Sequence, residues 1–137
     1  MTRQQGERTK VLLAQFPLET HSRGIITVAG MLRDAGMEVV YLGLRLNPEE
    51  IADAAIQEDV DVVGLSCLSG AHMSLFPKTV DLIREKGGQD IIIVGGGIIP
   101  EKDVPKLLQA GMARVFGPGT PLSDIADFIQ TAMAGRG

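Results

Sequence analysis

Five short apolar runs divide the chain: Val11–Ala14, Val39–Leu42, Val62–Leu65, Ile91–Val94 and Val115–Phe116. Their starts lie 23 to 29 residues apart, the spacing of a strand and a helix with their connections. The first four are rich in Val, Ile and Leu without alternation, as in strands covered on both faces. Between them the period becomes helical. Ile25, Val28, Ala29 and Leu32 follow the i, i+3, i+4, i+7 rule, and Gly36 supplies a stop. Asn47, Pro48, Glu49 and Glu50 read as a cap, a first-turn proline and an acidic first turn. Phe76, Val80 and Ile83 line a third helix, opened by His72 and ended at Gly87 and Gly88. Val104, Leu107 and Leu108 mark a fourth before Gly111. Leu122, Ile125, Ala126, Ile129 and Met133 mark a fifth, started by Thr120 and Pro121. The apolar helix stripes are expected to be core.

Strict alternation of strand and helix predicts an α/β fold with right-handed crossovers. Five such units match a flavodoxin-like (Rossmann-like) doubly wound, five-stranded parallel sheet with helices on both faces. The 137 residues suit one domain over 10–134, with a flexible segment at 1–9 and a frayed tail at 135–137. Net charge is −4 and no dense basic stripe appears, so nucleic acid is not an expected partner. No apolar stretch approaches the roughly 18 residues of a membrane span, and the first ten residues lack a signal peptide's apolar segment. One cysteine, Cys67, builds no disulfide framework and reads as a small buried hydrophobe, which fits a cytoplasmic setting.

Doubly wound sheets bind ligands beyond the carboxyl ends of their strands, where strand order reverses. The first strand is followed by Gln15 to Gly24, including Glu19, His21 and Arg23; the third by Ser66 to Gly70; the fourth by Gly95, Gly96 and Gly97; the fifth by Gly117 to Thr120. Glycines there let a bulky ligand lie against backbone, and helix starts favour anions. One imidazole, one carboxylate and two glycine loops point to a large ligand with phosphate or amide groups. Asp59 and Asp61 lie at the opposite end of the third strand and are expected to be solvated.

At these residues the chain resembles a known family. Glu19-x-His21-x-x-Gly24, Ser66-x-Leu68 and Gly95-Gly96 look like the Asp-x-His-x-x-Gly, Ser-x-Leu, Gly-Gly signature of cobalamin-binding domains, most closely the methylmalonyl-CoA mutase type. The likeness runs from about Lys10 to Met133 and includes LRDAG, YLGL, QEDVDV, LSGAHM and FGPGTP. It implies that His21 replaces dimethylbenzimidazole as the lower cobalt ligand of adenosylcobalamin, bound base-off. Ser66 then hydrogen-bonds the displaced base, Leu68 packs on it, Gly95 and Gly96 leave room for the nucleotide tail, and Gly117 and Thr120 meet its far end. Thr20, Ser22, Arg23, Gly70 and Gly97 complete the implied cofactor-binding set.

The chain departs from that pattern at four clustered places. Gln15, Glu19, Thr20 and Ser22 stand where the family carries Lys, Asp, Gly and Asp. Glu19 can still accept the imidazole N–H, with one more methylene, in the manner of a carboxylate that orients a metal-bound histidine. Gln15 removes a positive charge beside it.

The resemblance implies the cofactor subunit of an acyl-CoA mutase. It further implies a large partner whose substrate-binding TIM barrel needs about 250 residues, with no catalytic residue in this chain. Corrinoid methyl-transfer proteins carry a helical cap ahead of the domain, and only about ten residues precede the first strand here. Glutamate-mutase-type small subunits and non-enzymatic cobalamin carriers or sensors remain as alternatives. A phosphoacceptor receiver needs an aspartate where the third strand ends in Ser66 and Cys67.

Overall fold

A computed structural model describes residues 8–15, 23–42, 47–67, 71–117 and 119–135, with Arg23 and Gly24 for the backbone only. Five parallel strands, β1 (Lys10–Gln15), β2 (Glu38–Tyr41), β3 (Val62–Cys67), β4 (Ile92–Gly97) and β5 (Arg114–Phe116), form one sheet in the order β2-β1-β3-β4-β5. This is the flavodoxin-like order, and strand order reverses between β1 and β3. β1 and β3 sit inside the sheet and are buried along almost their whole length, which explains their unbroken apolar sequences.

Helices α1 (Arg23–Asp34) and α5 (Leu122–Gly135) contact each other on one face; α2 (Pro48–Gln57), α3 (His72–Glu85) and α4 (Val104–Gln109) cover the other. Two cores result. Val11, Leu13, Val94 and Phe116 pack under α1 and α5, while Leu12, Ala14, Val63 and Leu65 pack under α2, α3 and α4. Period two along a twisted strand divides each strand between them.

The predicted cap of α2 is a full capping box. The Asn47 side chain accepts from the Glu50 amide at 2.8 Å, and the Glu50 carboxylate accepts from the Asn47 amide at 3.0 Å. At the far end of the sheet, Arg84 donates to the carbonyls of Gly88 and Ile91 at 2.6 and 2.8 Å. Burial pulls its pKa down and Asp90 opposes that shift. Lys86 reaches Asp53 at 2.8 Å, joining α3 to α2, and this bond and charge raise its pKa.

Several expectations need correction. Strands β1, β3 and β4 run further than their apolar runs, so Gln15, Ser66 and Gly95–Gly97 lie in strands and not in loops after them. Ladder bonds to neighbours hold polar and glycine residues extended as readily as apolar ones. Asp61 is buried at 9% exposure, and its carboxylate accepts from the Lys10 amide at 2.9 Å, satisfying the start of β1. Leu108 is 43% exposed, because α4 is only six residues long and turns Leu107 inward instead. Gly135 closes α5 and belongs to the helix.

Candidate functional site

The carboxyl ends of the central strands stand in register: Gln15 pairs with Ser66, Ser66 with Gly96, Cys67 with Gly97, and Gly96 with Phe116. Below this edge a cavity of about 300 Å³ opens between the sheet and the α1–α5 pair. Val11, Leu13 and Val94 form its floor, Ile25, Val28 and Leu32 one wall, and Leu122, Ile125 and Ile129 the other. Ser66, Gly95, Gly96, Gly97, Gly117 and Thr120 border it towards the carboxyl edge. None of the described lining residues carries a charge. Such a lining suits an uncharged, largely apolar group.

Glycine makes the slot possible, in different ways at neighbouring positions. A Cβ at Gly64 would lie 2.7 Å from Leu13 Cδ2, and one at Gly96 would meet its nearest atom, the Phe116 carbonyl oxygen, at 3.6 Å. Both glycines line the slot. Gly95 faces the other way: its Cβ would stand 2.7 Å from both Phe76 and Met112, so the missing side chain there admits the core beneath α3. Gly97 has φ +124°, and a Cβ there would collide with the Cys67 carbonyl. At that position the chain turns sharply against its neighbour, a conformation open to glycine.

Ser66 is half-buried in β3 and Gln15 fully buried at the end of β1. Thr120 donates its hydroxyl to the Gly117 carbonyl at 2.7 Å, which fixes the turn ahead of α5. Arg23 and Gly24 open α1. Glu19, Thr20, His21, Ser22, Leu68 and Gly70 lie outside the described residues. Among the described residues no cluster of three or more His, Cys, Asp or Glu could hold a metal ion. Nor is any helix there long and apolar enough to cross a membrane.

Gly64 and the slot-facing side chains of α1 and α5 were not singled out by sequence reasoning. A glycine interrupting Val62-Val63-Gly64-Leu65 is the available signal, since glycine within a strand marks a bulge or a close approach. The helix stripes gave none, because a slot wall and a core face share one periodicity.

The B12 binding domain family matches residues 9–126. The chain is 45% identical over 128 residues to the 2-hydroxyisobutanoyl-CoA mutase small subunit of Aquincola tertiaricarbonis, covering 93% of this chain and 94% of that one. It is 38% identical over 135 residues to the methylmalonyl-CoA mutase of Rhizobium meliloti, where 98% of this chain spans 19% of the larger protein. In architecture it is similar to a cobalamin-binding protein from Desulfitobacterium hafniense DCB-2, with TM-score 0.78, 23% identity, and 92% and 60% of the two chains covered. A family match over most of its length and a mutase small subunit aligned nearly throughout lead to one conclusion. The chain belongs to the B12-binding domain family, in its acyl-CoA mutase branch.

Proposed function

We propose that this chain is the cobalamin-binding small subunit of an adenosylcobalamin-dependent acyl-CoA mutase, working with a separate TIM-barrel subunit that holds the substrate. The observation that carries the reading is the glycine-bordered slot beneath the carboxyl edge. Its size and its uncharged, mostly apolar lining fit the displaced base of a base-off cobalamin, and side chains added at Gly64 or Gly96 would take up space along it. Aliphatic side chains of α1 and α5 would hold the base by dispersion, and Ser66 at the rim would supply its hydrogen-bond partner. Gly117 and Thr120 border the same slot and would meet the far end of the tail.

His21 is the proposed lower cobalt ligand. Glu19 is its orienting carboxylate, and Gln15, buried at the end of β1, adds no charge to that relay. Thr20, Ser22, Arg23, Gly24, Leu68 and Gly70 supply the rest of the binding edge, with Gly95 and Gly97 at the mouth. When bound, the cofactor supplies a radical through homolysis of its cobalt–carbon bond. This chain's part is to bind, orient and exclude water, and the acyl-CoA is met by the partner. The acyl-CoA class is the one named for both relatives.

Adenosylcobalamin is titrated into the chain and into His21→Ala while the corrin absorption spectrum is recorded. Base-off, histidine-ligated binding should appear in the parent and be lost in the variant. Identical spectra would remove His21 from cobalt. Mixing the loaded chain with a barrel subunit should produce acyl-CoA mutase activity; binding without such activity would favour a carrier or sensor.

A further inference from the structure

β3 and β4 end side by side, with Cys67 against Gly97, and the chain then leaves in two segments. One reaches His72 at the start of α3; the other passes Ile98–Pro100 to Asp103, the last residue of a short 3-10 turn, Glu101–Asp103. The segments meet again where His72 Nε2 lies 2.8 Å from Asp103 Oδ2. Both residues are buried, at 4% and 9% exposure. A carboxylate only accepts, so Nε2 carries the proton. The other ring nitrogen, Nδ1, is buried with no hydrogen-bond partner among the described residues.

This is a poor arrangement for stability. A buried imidazole–carboxylate pair recovers little beyond its own desolvation. A phenylalanine at position 72 would avoid that cost and could pack on Phe76, whose ring centroid is 6.3 Å from that of His72. What the pair does supply is direction. It links two segments that each begin at slot-bordering residues, Ser66 on β3 and Gly95 to Gly97 on β4. We propose that His72 and Asp103 are a positioning pair whose hydrogen bond ties the start of α3 to the turn that follows β4, holding the slot's mouth in the shape its ligand needs. The purpose given to the mouth rests on the cobalamin reading; the tie between the segments does not.

The test compares the full chain with Asp103→Asn, which keeps an acceptor for Nε2–H, and with the double variant His72→Phe/Asp103→Leu, which replaces the pair by apolar groups. The double variant should melt within about 3 °C of the parent. Its Ser74 and Leu75 amides, which donate to the Ala71 carbonyl beside His72, should exchange hydrogen about tenfold faster or more. Its affinity for adenosylcobalamin, followed by absorbance, should fall about tenfold. Asp103→Asn should stay within about threefold of the parent in both exchange and affinity. Unchanged exchange overturns the proposal, as does faster exchange with unchanged affinity, failure of the double variant to fold, or an Asp103→Asn that behaves like the double variant. If the parent itself binds no adenosylcobalamin, the cofactor reading fails, and exchange at Ser74 and Leu75 alone decides the pair.

Discussion

Gly95, Gly96 and Gly97 are identical side by side and answer to three different surroundings. Gly97→Ala would place a methyl group against the Cys67 carbonyl at a positive φ, and should destabilise the fold by about 3 kcal/mol or more, read from the urea midpoint. Gly96→Val should behave in the opposite way. Its Cβ has ordinary clearance from the Phe116 carbonyl at 3.6 Å, and a β-branched residue suits a strand. Stability should hold within about 1 kcal/mol while adenosylcobalamin affinity falls about tenfold or more. Unchanged affinity in a folded Gly96→Val would separate the slot from cofactor binding. The glycine run stood out in the bare sequence, and the structure places it in the last half of β4. The division of labour was hidden there, because it depends on Phe76, Met112, Cys67 and Phe116, which come together only in the folded chain.

Strands and helices were legible because each carries a period of its own, and all five strands and five helices occur in the predicted order. Periodicity reports which face is apolar; it does not report what covers that face. Val28 and Ile125 therefore looked like core but line an open slot, while Leu108 looked like core and faces outward. The two leucines of α4 give a clean contrast. Leu107→Ala, at a fully buried position, should lower stability by about 2–5 kcal/mol, while Leu108→Glu should change it by less than about 0.5 kcal/mol in the same denaturation assay. Equal effects would place α4 differently from the arrangement described. Asp61 shows the converse limit: its burial depends on the amide of Lys10, a partner far away in sequence.

The slot is bounded by the sheet and by two helices separated by most of the chain, so filling it should stabilise the molecule as a whole. At adenosylcobalamin a hundredfold above its dissociation constant, mass action contributes about 2.7 kcal/mol. The melting temperature should then rise by roughly 10 °C, as scanning calorimetry would show, and Gly96→Val should lose most of that rise. An unshifted melting temperature at that concentration would mean that the folded chain does not bind the cofactor in preference to the unfolded one. The same geometry divides the site between distant parts of the chain. One wall of the slot, α5, consists of Leu122–Gly135, while the sheet and α1 supply the rest. Without that helix, α1 and the sheet form a shelf with one side missing. A chain cut before Leu122 would keep every glycine of the edge and still have nothing to close over a ligand.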